Sequence, residues 1–282
     1  VKCGNEAVVF TNNDDAYETA ISLHSKGVKI KAIVDIRENS NGDLPKKCNE
    51  LGIKILWKST ITYTKGFKKL NQVHVMRLSK DNGSVINKKI KINCDLLCIS
   101  GGYTPTVHLF TQSGGKLTYN NEKYIFHPKI SLLDQISVGS CKGTFNLKCI
   151  IDETQTQTKE FLNTNDVEKI NVIESKGKNF ENIWLLPSDK VSGKTKPFVD
   201  YQNDTTANDI KLALREGYKS IEHVKRYTTT GMATDQGKIG NMHALGIVSE
   251  ITNTKMGELG TTTFRPPYTP LTFGAIVGRN VK

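Results

Sequence analysis

The chain opens with a short apolar run, Glu6-Ala7-Val8-Val9-Phe10, followed by helix-period apolar positions from Asp14 to Lys26 and a second apolar run from Val28 to Asp35. Runs of this kind, separated by a 3.6-residue periodicity, predict a strand–helix–strand unit. Gly27 stands where a helix C-terminal glycine belongs, just before the second strand. Two parallel strands joined by a helix are the start of a Rossmann-like sheet. Leu51–Leu56 is expected as a third strand. Residues 72–92 alternate apolar and polar positions around Asp81-Asn82-Gly83, and an Asn-Gly between alternating runs is a strong hairpin signal.

Cys94 to Ser100 is then expected as a buried strand entering the Gly101-Gly102 turn, and Gln135 to Gly139 as another entering a turn at Ser140. Both would end where open α/β sheets place ligands. Residues 152–182 are polar and are expected to give a helix and then a linker, with a domain boundary at about 175–195. From Asp200 the texture becomes helical. Thr205-Thr206 can cap a helix over Ala207–Glu216 that Gly217 ends, Ser220 can cap Ile221–Tyr227, and Asn241–Thr252 supplies a third apolar stripe. The stretch from Gly260 to Pro270 carries Pro266, Pro267 and Pro270, which fix φ and remove donors, so it is expected as an extended arm.

Composition changes this picture little. A chain of 282 residues with 37% hydrophobic content can bury a sizeable core. No apolar run reaches eighteen residues and no charged-then-apolar leader is present, so a soluble, cytoplasmic protein without membrane contact is expected, and the absence of an initiator Met suggests a piece of a longer chain. The six cysteines fall in segments expected to be strands, without a Cys-x-x-Cys pair or zinc spacing, which points to reduced thiols and no metal. The formal charge of +11 invites a nucleic-acid reading. Arg supplies only six of the 39 basic residues, however, and the lysines are spread along the chain rather than gathered with aromatics. A solvated lysine surface explains that better than a nucleic-acid partner.

The chemistry-bearing positions are few. The turn after the first strand, Thr11-Asn12-Asn13-Asp14-Asp15, has none of the glycines that let a backbone approach a pyrophosphate. Asp14 and Asp15 would stand at the helix N-terminus where an anion would bind, so this unit is expected to fill its own phosphate pocket. Asp35 stands where a ribose-binding acid would be, but without that turn a solvated strand-end carboxylate is the better reading. Gly139 to Leu147 is the stronger dinucleotide candidate, because a strand end running through a tight turn into a helix presents free N–H groups. An ordinary strand-to-helix connection is nearly as good an account of it. Lys225 to Lys238 gathers cations, hydroxyls and two glycines at a helix-to-helix turn, a pattern equally fit for holding a phosphate and for simple capping. No residue stands out as a catalytic acid, base or nucleophile, and His108, His127, His223 and His243 are read as core or surface imidazoles.

The run Lys196-Pro197-Phe198-Val199-Asp200-Tyr201-Gln202-Asn203-Asp204-Thr205-Thr206, with Arg215-Glu216-Gly217-Tyr218, Glu222 to Thr229, Gly231 to Lys238 and Gly260 to Pro270, closely resembles the alpha subunits of heterotetrameric sarcosine oxidase. Val8 to Tyr17 and Ser100 to Phe110 resemble them as well. The resemblance implies a central piece of such a subunit, with an α/β, Rossmann-like FAD/NAD(P)-binding frame of the disulfide-reductase type. Residues 1–95 would be the inserted NAD(P)-binding-type domain and 96–180 the return segment of the first dinucleotide-binding domain with its linker. Residues 190–282 would be a small helical domain of the bacterioferritin-associated-ferredoxin type, followed by the arm. The [2Fe-2S] ligands of that domain would fall at Asp200, Gln202, Asp235 and Gly240, so every cluster cysteine is missing and no cluster is expected.

The same resemblance implies flavin-dependent oxidation of sarcosine to glycine, with hydrogen peroxide and formaldehyde or 5,10-methylenetetrahydrofolate as further products. It implies beta, gamma and delta partner subunits, FAD in the beta subunit, FMN at the alpha–beta interface and a tightly held, non-reacting NAD. Relatives with this frame usually carry Gly-Asp to hold a flavin chain where Gly139-Ser140 stands, which favours NAD over flavin there. The residues assigned are Ser140, Phe145 and Leu147 against the dinucleotide, and Arg226, Thr228, Thr229 and Lys238 near the FMN phosphate. A flavin carries the chemistry itself, so no catalytic side chain is expected. Two rivals stay open: a subunit of a related proline or opine dehydrogenase, and a non-catalytic nucleotide-binding scaffold.

Overall fold

In the computed structural model, which describes residues 3–164, 170–172, 180–188, 196–265, 269, 271–277 and 279, the first apolar run is strand β1 (Glu6–Thr11). Helix α1 (Asp15–Ser25) and strand β2 (Lys29–Asp35) follow it. Next come helix α2 (Asp43–Glu50), the short strand β3 (Ile55–Leu56), strands β4 (Ser59–Gly66), β5 (Leu70–Leu78) and β6 (Val85–Asn93), and strand β7 (Leu96–Ser100). Strands β3, β2, β1 and β7 form a parallel sheet in that order, while β4, β5 and β6 form an antiparallel meander. The chain divides into two compact units, residues 1–103 with 176–195 and residues 104–175 with 196–282.

In the first unit the strand period of two sorts the core into two layers. Ala7 and Val9 of β1 are buried with Ala16, Tyr17 and Ala20 of α1 and Cys48 of α2. Val8 points to the other face, where it packs with Val34 and with Val73 and Val75 of β5. Strands covered on both faces are apolar almost throughout, which is why β1 reads as a continuous hydrophobic run.

Both helices on the first face end the same way. The Gly27 N–H donates to the His24 carbonyl and the Val28 N–H to the Leu23 carbonyl, at 3.0 and 3.1 Å. Gly52 and Ile53 donate to Asn49 and Cys48, both at 2.9 Å. These are Schellman closures, and they need the left-handed φ of +79° at Gly27 and +73° at Gly52. The second closure corrects the expectation of a strand over Leu51–Leu56. Leu51 and Gly52 are consumed in ending α2, and only Ile55 and Leu56 pair with Ile33 and Val34.

The second unit contains α3 (His108–Gln112), a hairpin of β8 (Lys116–Asn120) and β9 (Ile125–Ile130), a single 3₁₀ turn at Gly139–Lys142, and α4 (Leu147–Leu162). After the linker come β10 (Phe198–Asp200), β11 (Thr205–Thr206), α5 (Ala207–Arg215), α6 (Ile221–Thr228), α7 (Asn241–Thr252), α8 (Met256–Leu259) and α9 (Phe273–Val277). Helix α5 opens with a capping box in which the Asp209 carboxylate accepts from the Thr206 N–H at 2.7 Å. Ile210 and Ala213 of α5, Val224 of α6 and Leu245, Ile247 and Val248 of α7 make the buried helical core.

Two further expectations are corrected. Gln135–Gly139 is not a strand; Val138 is extended at φ −132° and ψ 159°, but no neighbouring strand among the described residues pairs with it. An apolar run without a hydrogen-bonding neighbour has nothing to make it a strand. The cysteines are not gathered in strands either: Cys48 lies in α2, Cys141 in the 3₁₀ turn and Cys149 in α4, with Cys98 alone of the six in a strand. All six are free thiols. Burial raises the pKa of Cys48 to about 11, which keeps it protonated. No helix of the described residues is long and apolar enough to cross a membrane.

Candidate functional site

The parallel register aligns Thr11 of β1 with Asp35 of β2 and with Ser100 of β7, so three strands end together at one edge of the first unit. That edge is where an α/β sheet of this order places a ligand, and here side chains of the unit itself crowd it. Asp35 is fully buried and Arg37 nearly so. The guanidinium clamps the Asp35 carboxylate in bidentate fashion, with Nε to Oδ1 at 3.0 Å and Nη2 to Oδ2 at 2.7 Å. The same Nη2 reaches the Asp14 carboxylate at 2.8 Å. The Tyr17 hydroxyl donates to Asp35 Oδ2 at 2.7 Å, and the Ser40 hydroxyl to Asp14 Oδ1 at 3.0 Å.

Asp14 therefore accepts a cation at the start of α1. Asp35, read from the sequence as a solvated strand-end carboxylate, is instead fully buried and spent on Arg37 and Tyr17, because folding brings a guanidinium and a phenol beside it. Burial, together with the Asp35 charge, pushes the Tyr17 phenol far above its ordinary pKa. Burial would by itself lower the Arg37 guanidinium, but the hydrogen bonds and charge of Asp35 and Asp14 more than reverse that. The cluster is a buried, mutually hydrogen-bonded core. Arg37 carries no motif signature, and sequence reading passed over it.

In the second unit the Gly139–Leu147 segment takes the expected tight-turn-into-helix form. Gly139 and Gly143 adopt φ of +66° and +92°, and the Asn146 side chain caps α4 by accepting from the Cys149 N–H at 3.2 Å. Ser140 and Leu147 are exposed and Phe145 is half-buried, so the three assigned residues flank one helix N-terminus. The Glu153 carboxylate holds this turn from below, pairing with Lys142 at 2.5 Å and accepting from the Gly139 N–H at 3.4 Å. Burial opposes the Glu153 charge, but those contacts keep its pKa below the usual value.

Three of the four positions at which cluster cysteines would fall, Asp200, Gln202 and Asp235, are tied together by hydrogen bonds. The Asp200 carboxylate, 5% exposed, accepts from the backbone N–H groups of Gln202, Asn203 and Gly231 at 2.9, 3.1 and 2.8 Å. Burial by itself would raise its pKa, and the three amides overcome that and hold it below the ordinary carboxylate value. The Gln202 side-chain oxygen accepts from the Thr234 hydroxyl at 2.8 Å and from the Asp235 N–H at 3.4 Å. Gly240 lies so close to the Val199 carbonyl that a Cβ there would stand 2.7 Å from it. No group of His, Cys, Asp or Glu among the described residues has metal-binding geometry.

Of the residues assigned near a phosphate, Arg226 and Thr229 are exposed and Lys238 is half-buried. Thr228 is buried, and its hydroxyl bonds the Val224 carbonyl and the Thr230 hydroxyl, both at 2.7 Å. Thr228 thus shapes the turn from inside. His108 is buried against the ring of Phe264 at 4.1 Å, and burial, with the nearby Lys238 charge, lowers its pKa. Beside it lies a cavity of about 470 Å³ whose lining includes Lys116, Tyr119, Lys255 and Thr261 to Thr263. That cavity is assembled from the β8–β9 hairpin and the first residues of the arm, which lie far apart in sequence.

Residues 194–279 match the family described as the sarcosine oxidase A3 domain. The chain is 34% identical over 281 residues to the sarcosine oxidase subunit alpha of Rhizobium meliloti (strain 1021), a match that covers 98% of this chain and 27% of that protein. It is 30% identical over 289 residues to the corresponding subunit of Corynebacterium sp. (strain P-1), covering 99% of this chain and 30% of that protein. The chain therefore spans less than a third of the length of these relatives. Among solved structures, L-proline dehydrogenase from P. horikoshii superposes with a TM-score of 0.59 at 16% identity, covering 98% of this chain and 50% of that one. At that identity the likeness concerns the fold.

Proposed function

On the premise that a chain matching sarcosine oxidase alpha subunits along nearly its whole length is homologous to them, we propose that it forms the central part of the alpha subunit of a flavin-dependent sarcosine oxidase. The observation that carries this reading is the extent of the match. It runs through both units rather than resting on one shared fold.

In this proposal the complex oxidises sarcosine to glycine and reduces oxygen to hydrogen peroxide, and the one-carbon unit leaves as formaldehyde or 5,10-methylenetetrahydrofolate. Beta, gamma and delta subunits complete it, with FAD in the beta subunit. The chain divides as residues 1–95, 96–180 and 190–282, a Rossmann-like domain, a return segment with linker, and a helical domain with its arm. The absence of a catalytic acid or base among the candidate residues accords with chemistry carried by a flavin.

Within the chain, a tightly held NAD is assigned to Ser140, Phe145 and Leu147. The exposed start of α4 and the left-handed glycines before it accord with a backbone that approaches an anion closely. FMN, which would supply electron acceptance at the alpha–beta interface, is assigned to Arg226, Thr229 and Lys238, with Thr228 supporting the turn. The first unit is assigned no nucleotide, because Arg37 and Asp14 already neutralise one another at the start of α1. The test is sarcosine-dependent peroxide production by the full-length subunit co-expressed with its genomic neighbours, with proline and an opine as parallel donors. Turnover of sarcosine alone is expected. Turnover of another donor only, or none in a fully flavinylated complex, would refute the assignment.

A further inference from the structure

We propose that Lys58, Asn82 and Asn12 form a carboxylate-binding site at the strand ends of the first unit, and that the chain's own Phe180–Glu181 segment is its ligand. Lys58 is 7% exposed, in the turn that enters β4, and its backbone is pinned on both sides: its N–H donates to the Arg37 carbonyl at 2.8 Å and its carbonyl accepts from the Leu78 N–H at 2.7 Å. A lysine so deeply buried needs an anion. Two carboxylates face it, Glu181 at 3.4 Å and Glu38 at 3.7 Å, and Glu38 is the more exposed, with 68% of its side chain open against 30% for Glu181.

Glu181 is gripped by more than the lysine. Its Oε1 accepts from the Asn82 side-chain amide at 2.6 Å, and its backbone carbonyl accepts from the Asn12 amide at 2.9 Å. Asn12 also reaches the Gly101 carbonyl at 3.3 Å, so it bridges the segment to the end of β7. The ring of Phe180 lies over Gly102, 3.6 Å from where a Cβ would be. The three gripping residues come from three separate loops, after β1, before β4 and between β5 and β6.

Asn82 shows that the arrangement is specific. It sits at the hairpin tip with φ +61°, a left-handed conformation that Asn tolerates, and its side-chain oxygen is buried without a hydrogen-bond partner among the described residues. Its amide is thus held in place for Glu181 although its oxygen gains nothing. Any anionic ligand entering at these strand ends has to displace the internal carboxylate first.

Chemical rescue in the full chain tests this. Glu181→Ala leaves Lys58 buried without its main anion, so its thermal midpoint is expected to fall in chloride and to recover in part in acetate at equal ionic strength. The wild type and the double variant Lys58→Met/Glu181→Ala should show no such acetate effect, since one site is filled and the other is neutral. An unchanged midpoint in Glu181→Ala, or an acetate response that is absent or equal in all three proteins, overturns the proposal. Should Glu181→Ala not fold, amine-acylation footprinting of Glu181→Gln reads the same contact: Lys58 is expected to label several-fold faster than in the wild type, and equal labelling overturns it.

Discussion

At the scale of single residues, two buried carboxylates have lost any freedom to act as ligands. Asp35 is held by Arg37 and Tyr17, and Asp200 by backbone amides. The second has a measurable pH signature. Its folded pKa is depressed, so the stability it contributes is fully present above its unfolded pKa of about 3.9 and is lost as pH falls through the lower folded value. Asp200→Asn is therefore expected to destabilise the chain by about 1–3 kcal/mol at pH 7, because it weakens charge-assisted bonds to buried amides. The difference should shrink below about pH 4, as urea unfolding across pH would show. A constant difference down to strongly acidic pH would exclude the proposed origin. The family resemblance put Asp200 where a cluster cysteine would fall, but only its spatial neighbours show that backbone amides hold its carboxylate.

At the scale of elements, the helical turn from Gly231 to Gly237 closes on one side chain. Both glycines adopt left-handed φ, +69° and +72°, and a Cβ at either would overlap the Asn241 amide oxygen. Asn241 also donates to the Thr262 hydroxyl at 3.2 Å, so the start of α7 links this turn to the first residues of the arm. Gly237→Ala adds the left-handed penalty of about 1–2 kcal/mol to that overlap. A loss of at least that size is expected, read by thermal or urea unfolding, and a neutral substitution would refute the role given to Asn241. Glycine spacing in the sequence signals such a turn but does not say what it encloses. Helix α4 shows the opposite case: the sequence places a helix in the polar stretch 152–182, the helix instead runs over Leu147–Leu162, and none of its residues is buried, so expecting a helix gives no account of what it packs on.

At the scale of the whole molecule, the lack of a cysteine at Asp200, Gln202, Asp235 and Gly240, and the hydrogen bonds that join the first three, make a metal-free helical segment the expected state. Iron and acid-labile sulfide analysis of anaerobically purified protein should find neither in stoichiometric amount, and a stoichiometric cluster would overturn that reading. The β1–α1–β2 unit, the β5–β6 hairpin and helices α5 to α7 were legible in the sequence with only small differences at their ends. Each is set by local periodicity, glycine closures and capping residues, which act within a few positions. The resemblance to sarcosine oxidase alpha subunits was legible too, because it rests on several long segments, such as Lys196 to Thr206 and Gly260 to Pro270, rather than on one short motif. The false strand at Gln135–Gly139 was not detectable, since a strand exists only where a second one pairs with it. The Arg37 clamp, the Glu181 contact and the cavity of the second unit were decided by the tertiary structure alone. The Glu181 contact and the cavity join residues far apart in the chain, and Arg37, two residues from Asp35, is buried only because Asp14 and Tyr17 fold against the same pair; the energy of a buried charge depends on which opposite charge folding brings beside it.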